Sequence, residues 1–149
     1  MRTDSVDGLP NRDLVLSQSS LAHIIGPDAV RALVGLVRDF NLQQGSAPPL
    51  QPTGIFARRY SADTFGDDQP WTSFHFDNAH TTVNVALSAD HAPGGRLLGV
   101  YDGAVRVIER AEGDATVHSS SLLHGVSRMC EGVRHSLIMF YTRGLNPED

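Results

Sequence analysis

The chain has 149 residues, enough for one domain with a buried core and little beyond it. Hydrophobic residues make up 40% and charged residues 19%, as in ordinary globular proteins, and the net charge of −5 argues against nucleic acid or an anionic membrane as the main partner, since both select a basic face. All 12 basic residues are arginine, which excludes Schiff-base chemistry and a P-loop, and the single cysteine, Cys130, forms no internal disulfide.

Residues Met1 to about Gln18 are polar around Gly8-Leu9-Pro10-Asn11, which predicts an irregular or weakly docked start. Pro27 suits the first turn of a helix, and Val30, Leu33, Val34, Val37 and Phe40 repeat at helical spacing beyond it. The apolar stripe predicts one helix supporting the outside of a sheet, ended by the proline-rich stretch from Gly45 to Pro52. No charged start leads into an apolar run and no stretch approaches a membrane span, so a soluble, cytoplasmic protein is expected.

From Gly54 the pattern changes to short β-rich runs, at about 54–60, 73–77, 82–88, 96–101, 104–110, 115–118, 123–128 and 133–142. Turn residues separate most of them, including Pro93-Gly94-Gly95, Asp102-Gly103 and Glu131-Gly132. Evenly spaced short strands predict a mainly β sandwich or jelly roll, with 1–53 as N-terminal support and linker and 54–143 as the core of a single domain over 1–149. The segment from Ser61 to Thr72 carries Gly66-Asp67-Asp68 and few apolar residues, and is either a mobile lid that delivers Trp71 close to the metal strand or an ordinary solvated connection.

The chemistry is concentrated in His75-Phe76-Asp77. On a strand, side chains alternate faces, so the imidazole and the carboxylate enter one interior while Phe76 faces away. Two histidines and a carboxylate on one side of a metal form the facial triad that suits Fe(II) and leaves positions open for a co-substrate and dioxygen. A lone H-x-D is a weak motif. What strengthens it is His124 far along the chain, followed ten residues later by Arg134 after a turn at Glu131-Gly132, with Ser136 on the face of Arg134. His118 is a rival third ligand without the arginine spacing, His135 should point away from the metal, and Trp71 either covers substrate or packs on the rim.

Phe74-His75-Phe76-Asp77, the run Thr82 to Ser88, Gly94-Gly95, Leu123-His124-Gly125-Val126 and Gly132 to Ile138 follow one another as they do in a known family. From about Gly54 to Arg143 the chain resembles the Fe(II)- and 2-oxoglutarate-dependent oxygenases, in particular the branch of prolyl 4-hydroxylases and lysyl hydroxylases. The resemblance implies a double-stranded β-helix in which His75, Asp77 and His124 hold iron and Arg134, with Ser136, takes the distal carboxylate of 2-oxoglutarate. It further implies O2 consumption, release of succinate and CO2, ascorbate as a candidate reductant, and hydroxylation of an amino-acid-like, peptidyl or small-molecule substrate. The carboxylate at Asp77 favours hydroxylation over halogenation. The tyrosine that the oxygen-sensing members place near Ala86 is missing, and Tyr60 or Asn84 stands as its replacement. Two other readings stay open: a non-catalytic metal- or 2-oxoglutarate-binding sensor or interaction domain, and a cupin-type metalloenzyme without 2-oxoglutarate. Neither the oligomeric state nor the substrate is legible.

Overall fold

The computed structural model describes residues 2–3, 6–8, 10–45, 49–63, 70–90 and 94–144. Residues 64–69, half of the expected lid, lie outside the described residues, as do His91 and Pro93. The ends of that segment are tied to the core: Ala62 N–H donates to Gly132, and Met129 N–H donates to the Pro70 carbonyl at 2.7 Å.

Two short strands, β1 (Arg2–Thr3) and β2 (Pro10–Val15), precede two helices, α1 (Gln18–Ile25) and α2 (Pro27–Gln43). The core strands are β3 (Leu50–Ser61), β4 (Thr72–His75), β5 (Thr81–Ala86), β6 (Leu97–Tyr101), β7 (Ala104–Val107), β8 (Ala115–Ser119), β9 (Leu123–Val126) and β10 (Val133–Arg143). They form a six-stranded sheet, β1-β2-β3-β10-β5-β8, facing a four-stranded sheet, β4-β9-β6-β7, the two layers of a jelly roll.

The N-terminal expectation needs correction. Instead of an irregular start, β2 pairs antiparallel with β3, Asp13 opposite Arg58, and Arg58 donates two 2.8 Å hydrogen bonds to the Asp13 carboxylate. Helix α1 was not foreseen: it spans only eight residues, capped by Ser17, whose hydroxyl accepts from Ser20 N–H, and Gly26 at φ 89° separates it from Pro27 at the start of α2.

Both faces of the larger sheet are covered, which sorts its residues by parity. On β10, Leu137, Met139 and Tyr141 face the helices together with Val83, Val85 and Ile55, packed on Leu21, Val30 and Val37. Each such side chain contributes about 1.5–3 kcal/mol by leaving water. The alternate residues Arg134, Ser136, Ile138 and Phe140 face the other sheet. A buried Asn41 on α2 donates to the Val37 carbonyl and to Thr81 Oγ1 at 3.1 Å, docking the helix at the start of β5.

Candidate metal centre

His75 and His124 are cross-strand partners in the β4–β9 pair, so their imidazoles emerge side by side, with ring centroids 4.4 Å apart. The approach is close because of Gly125: a Cβ there would lie 2.8 Å from the Thr72 carbonyl oxygen. Strand β4 ends at His75, so Asp77 sits in the following loop rather than on the strand. Its side chain still turns inward and is nearly buried, with Oδ1 3.3 Å from His75 Nε2 and Oδ2 3.6 Å from His124 Nε2. Phe76 does not simply face away: it is 59% exposed and lines the mouth of the cavity.

One donor atom from each of His75, Asp77 and His124 can be chosen so that all lie within 4.8 Å of one another. Two donors about 2.1 Å from one ion at right angles are about 3 Å apart, so these spacings suit one face of an octahedron. The tautomers agree. A carbonyl oxygen accepts only, so His75 Nδ1 donates to Ser73 at 2.8 Å and His124 Nδ1 to Leu122 at 3.1 Å, leaving each Nε2 lone pair for a metal.

Burial alone would raise the Asp77 carboxyl. It is outweighed by the polar contacts with His75 and Thr82 and by the nearby His124 and His118 rings, and the group is held below its ordinary value. For His124, burial pushes the imidazole down, Asp77 opposes this, and His118 and His75 add to the depression. Neutral imidazole and ionised carboxylate are the forms that bind a divalent ion.

His118 lies beside the cluster without joining it. It is opposite Thr82 in the β5–β8 pair, its ring centroid is 4.5 Å from that of His124, and its Nε2 is 3.7 Å from Asp77 Oδ2. His135 is exposed, as expected. Trp71 packs under Arg128, whose guanidinium carbon lies 4.8 Å from the indole centroid.

A cavity of about 440 Å³ opens at the three ligands and runs between the sheets, with Tyr60, Asn84, Phe56 and Phe140 on its wall. Arg134 lies just behind that wall, its guanidinium carbon 5.2 Å from the Tyr60 ring centroid. Both its Nη atoms and Ser136 Oγ are buried without a hydrogen-bond partner among the described residues, and a buried donor left unpaired is costly. Sequence reasoning missed Asp90 and Arg110, which surround this arginine. No motif or spacing marks them.

No family model matches the chain. A 72-residue stretch is 31% identical to the mouse 2-oxoglutarate and iron-dependent oxygenase domain-containing protein 2, covering 44% of this chain and 21% of that protein. A 2OG-Fe(II) oxygenase family oxidoreductase from Burkholderia pseudomallei superposes with a TM-score of 0.61 at 19% identity, covering 90% of this chain and 66% of that one. A prolyl hydroxylase from Trichoplax adhaerens does so at 0.64 and 15% identity, covering 91% and 64%.

The fold is the one seen in solved 2OG-Fe(II) oxygenases.

These solved neighbours share the jelly roll, and prolyl hydroxylases are among them. The chain spans about a fifth of the length of its curated relative. The three donors form a set suited to a divalent ion such as Fe(II), and behind the cavity wall a guanidinium edge and a hydroxyl have no hydrogen-bond partner among the described residues. Among the described residues no helix is long and apolar enough to cross a membrane.

Proposed function

We propose that this chain is an Fe(II)- and 2-oxoglutarate-dependent hydroxylase acting on an unactivated C–H bond of an amino-acid-like, peptidyl or small-molecule substrate, with release of succinate and CO2. One observation carries the reading: a three-donor metal cluster at one end of a cavity, and behind its wall a buried arginine with two N–H-bearing atoms still to be paired. A cupin-type metal site without a dicarboxylate gives no reason for that arginine.

In this reading His75, Asp77 and His124 bind the metal on one face. Bound iron supplies the activation of dioxygen. Arg134 pairs with the distal carboxylate of 2-oxoglutarate and Ser136 adds a hydroxyl, which orients the keto acid toward the metal. Tyr60 and Asn84, both on the cavity wall, are polar groups that can meet the co-substrate along its length. Phe56, Phe140, Ile138 and Leu97 make the rest of the wall largely apolar and keep water from the reacting centre. The Trichoplax relative holds a peptide fragment of hypoxia inducible factor, which supports including peptides among the substrate classes.

The test is a panel of peptides, amino acids and small metabolites incubated with Fe(II), ascorbate and 2-oxoglutarate and examined by mass spectrometry. Gain of one oxygen atom on a panel member, matched by succinate, is expected. Consumption of no 2-oxoglutarate under any condition overturns the reading in favour of a binding domain.

A further inference from the structure

Two buried arginines share one buried acid. The Asp90 side chain is 0% exposed, and those of Arg110 and Arg134 are 1% and 2%. Asp90 Oδ1 accepts from Arg134 Nε at 3.0 Å and from Arg110 Nη2 at 3.2 Å, and Oδ2 accepts from Arg110 Nε at 3.2 Å. Guanidinium stays protonated in proteins, so this three-residue group carries one positive charge in excess. Such a charge is tolerated in a low-dielectric interior when an anion completes it.

The geometry also decides which atoms remain for that anion. Asp90 occupies the Nε position of Arg134, so the two Nη atoms at the tip are the ones without partners. A carboxylate accepts two parallel N–H groups from such a tip. Arg110 uses its other edge on Asn84, donating from Nη1 to Asn84 Oδ1 at 2.8 Å and to the Asn84 carbonyl at 3.3 Å. Because guanidinium only donates, the Asn84 amide must turn its oxygen to Arg110, which leaves its NH2 as the group offered to the cavity that Asn84 lines.

We infer that Arg110 and Asp90 are positioning residues for the dicarboxylate co-substrate: Asp90 holds Arg134 by Nε with its Nη edge open, and Arg110 divides the Asp90 charge while aiming the Asn84 amide donor into the cavity. The inference rests on the proposed 2-oxoglutarate site. Arg110 restrains Asp90. With that partner removed, the whole carboxylate is available to close on the Arg134 tip and compete with the ligand there. Burial pushes the Arg110 guanidinium below its ordinary value, Asp90 opposes this and Arg134 pushes the same way, as expected for two cations held by one anion.

The test titrates Mn(II)-loaded full-length protein with 2-oxoglutarate and with 2-oxovalerate, which chelates through the same keto acid but lacks the distal carboxylate. Wild type should prefer 2-oxoglutarate strongly. In Arg110→Met and Asp90→Asn the affinity for 2-oxoglutarate should fall about tenfold to a hundredfold, the range typical of an outer-shell partner, with the 2-oxovalerate and Mn(II) affinities unchanged. Arg110→Lys, which keeps the charge and loses the fork, should restore part of the preference and guards against a misfolded Met variant. An equal loss for both keto acids, or an unaltered preference in both Arg110 variants, overturns the positioning role while leaving the co-substrate site intact. A wild type that binds neither acid overturns the site itself, and the inference with it.

Discussion

Thr82 Oγ1 donates a 2.6 Å hydrogen bond to Asp77 Oδ2, so the six-stranded sheet grips the carboxylate that belongs to the metal cluster of the other sheet. Oδ1, on the His75 side, is left for the ion. Thr82→Val removes the donor at nearly constant volume and should weaken divalent metal binding about 10–100-fold, whereas Thr82→Ser should stay close to wild type. Calorimetric titration with Mn(II) checks this. Equal affinity in Val and wild type would show that Asp77 needs no anchor.

The two histidines on the Oδ2 side of Asp77 should separate cleanly. His124→Ala is expected to abolish metal binding, because it removes one of three donors that converge within bonding range. His118→Gln should retain the metal with a modest loss, since His118 touches Asp77 only at 3.7 Å and packs against the His124 ring. Metal content after dialysis decides, and the reverse order would make His118 the ligand.

Arg134→Met should cost 2-oxoglutarate binding about 2–5 kcal/mol, the usual loss when one partner of a buried charge pair is truncated, with little effect on metal affinity. Ser136→Ala should act in the same direction by about 1 kcal/mol, as for a single neutral hydrogen bond. Competition binding against a fluorescent metal chelate reads both. Unchanged 2-oxoglutarate affinity in the arginine variant removes its assigned role.

Much of this site was legible because its chemistry sits in short motifs with forced geometry. H-x-D together with His124 and Arg134 needed only a jelly roll to converge, and the strand pattern from Gly54 supplied one. The route differed in detail: Asp77 reaches the site from a loop after β4, and its facing is secured by Thr82 rather than by strand alternation. What escaped reading depends on long-range contact. β2 is polar and short and exists because β3 offers it an edge, with Asp13 paired to Arg58. Arg110 looked like the end of a strand over 104–110, but β7 ends at Val107 and the chain then turns the guanidinium inward to Asp90 and Asn84. No local pattern encodes such a partnership between residues 90, 110 and 134.

The metal-free protein should lose stability toward acid. His124 is held below its ordinary 6.5, so the unfolded chain takes up that proton first. Its contribution is complete above about pH 6.5 and drains away as the pH falls toward the folded value. Asp77 has the same sign lower down, complete above its ordinary 3.8 and lost below it. Thermal unfolding from about pH 8 to 5 should therefore show a falling midpoint, less steep in His124→Gln. An identical slope in the variant would place the proton elsewhere.

If His75, Asp77 and His124 form an iron centre that turns over 2-oxoglutarate, succinate release reports it. Purified wild type, His75→Ala, His124→Ala and His118→Gln would each be given Fe(II), 2-oxoglutarate and air, and the succinate quantified. Iron-dependent succinate is expected from wild type and His118→Gln, and background levels from His75→Ala and His124→Ala. Succinate at the wild-type rate from His124→Ala, or none from wild type with any member of the substrate panel, would contradict this reading.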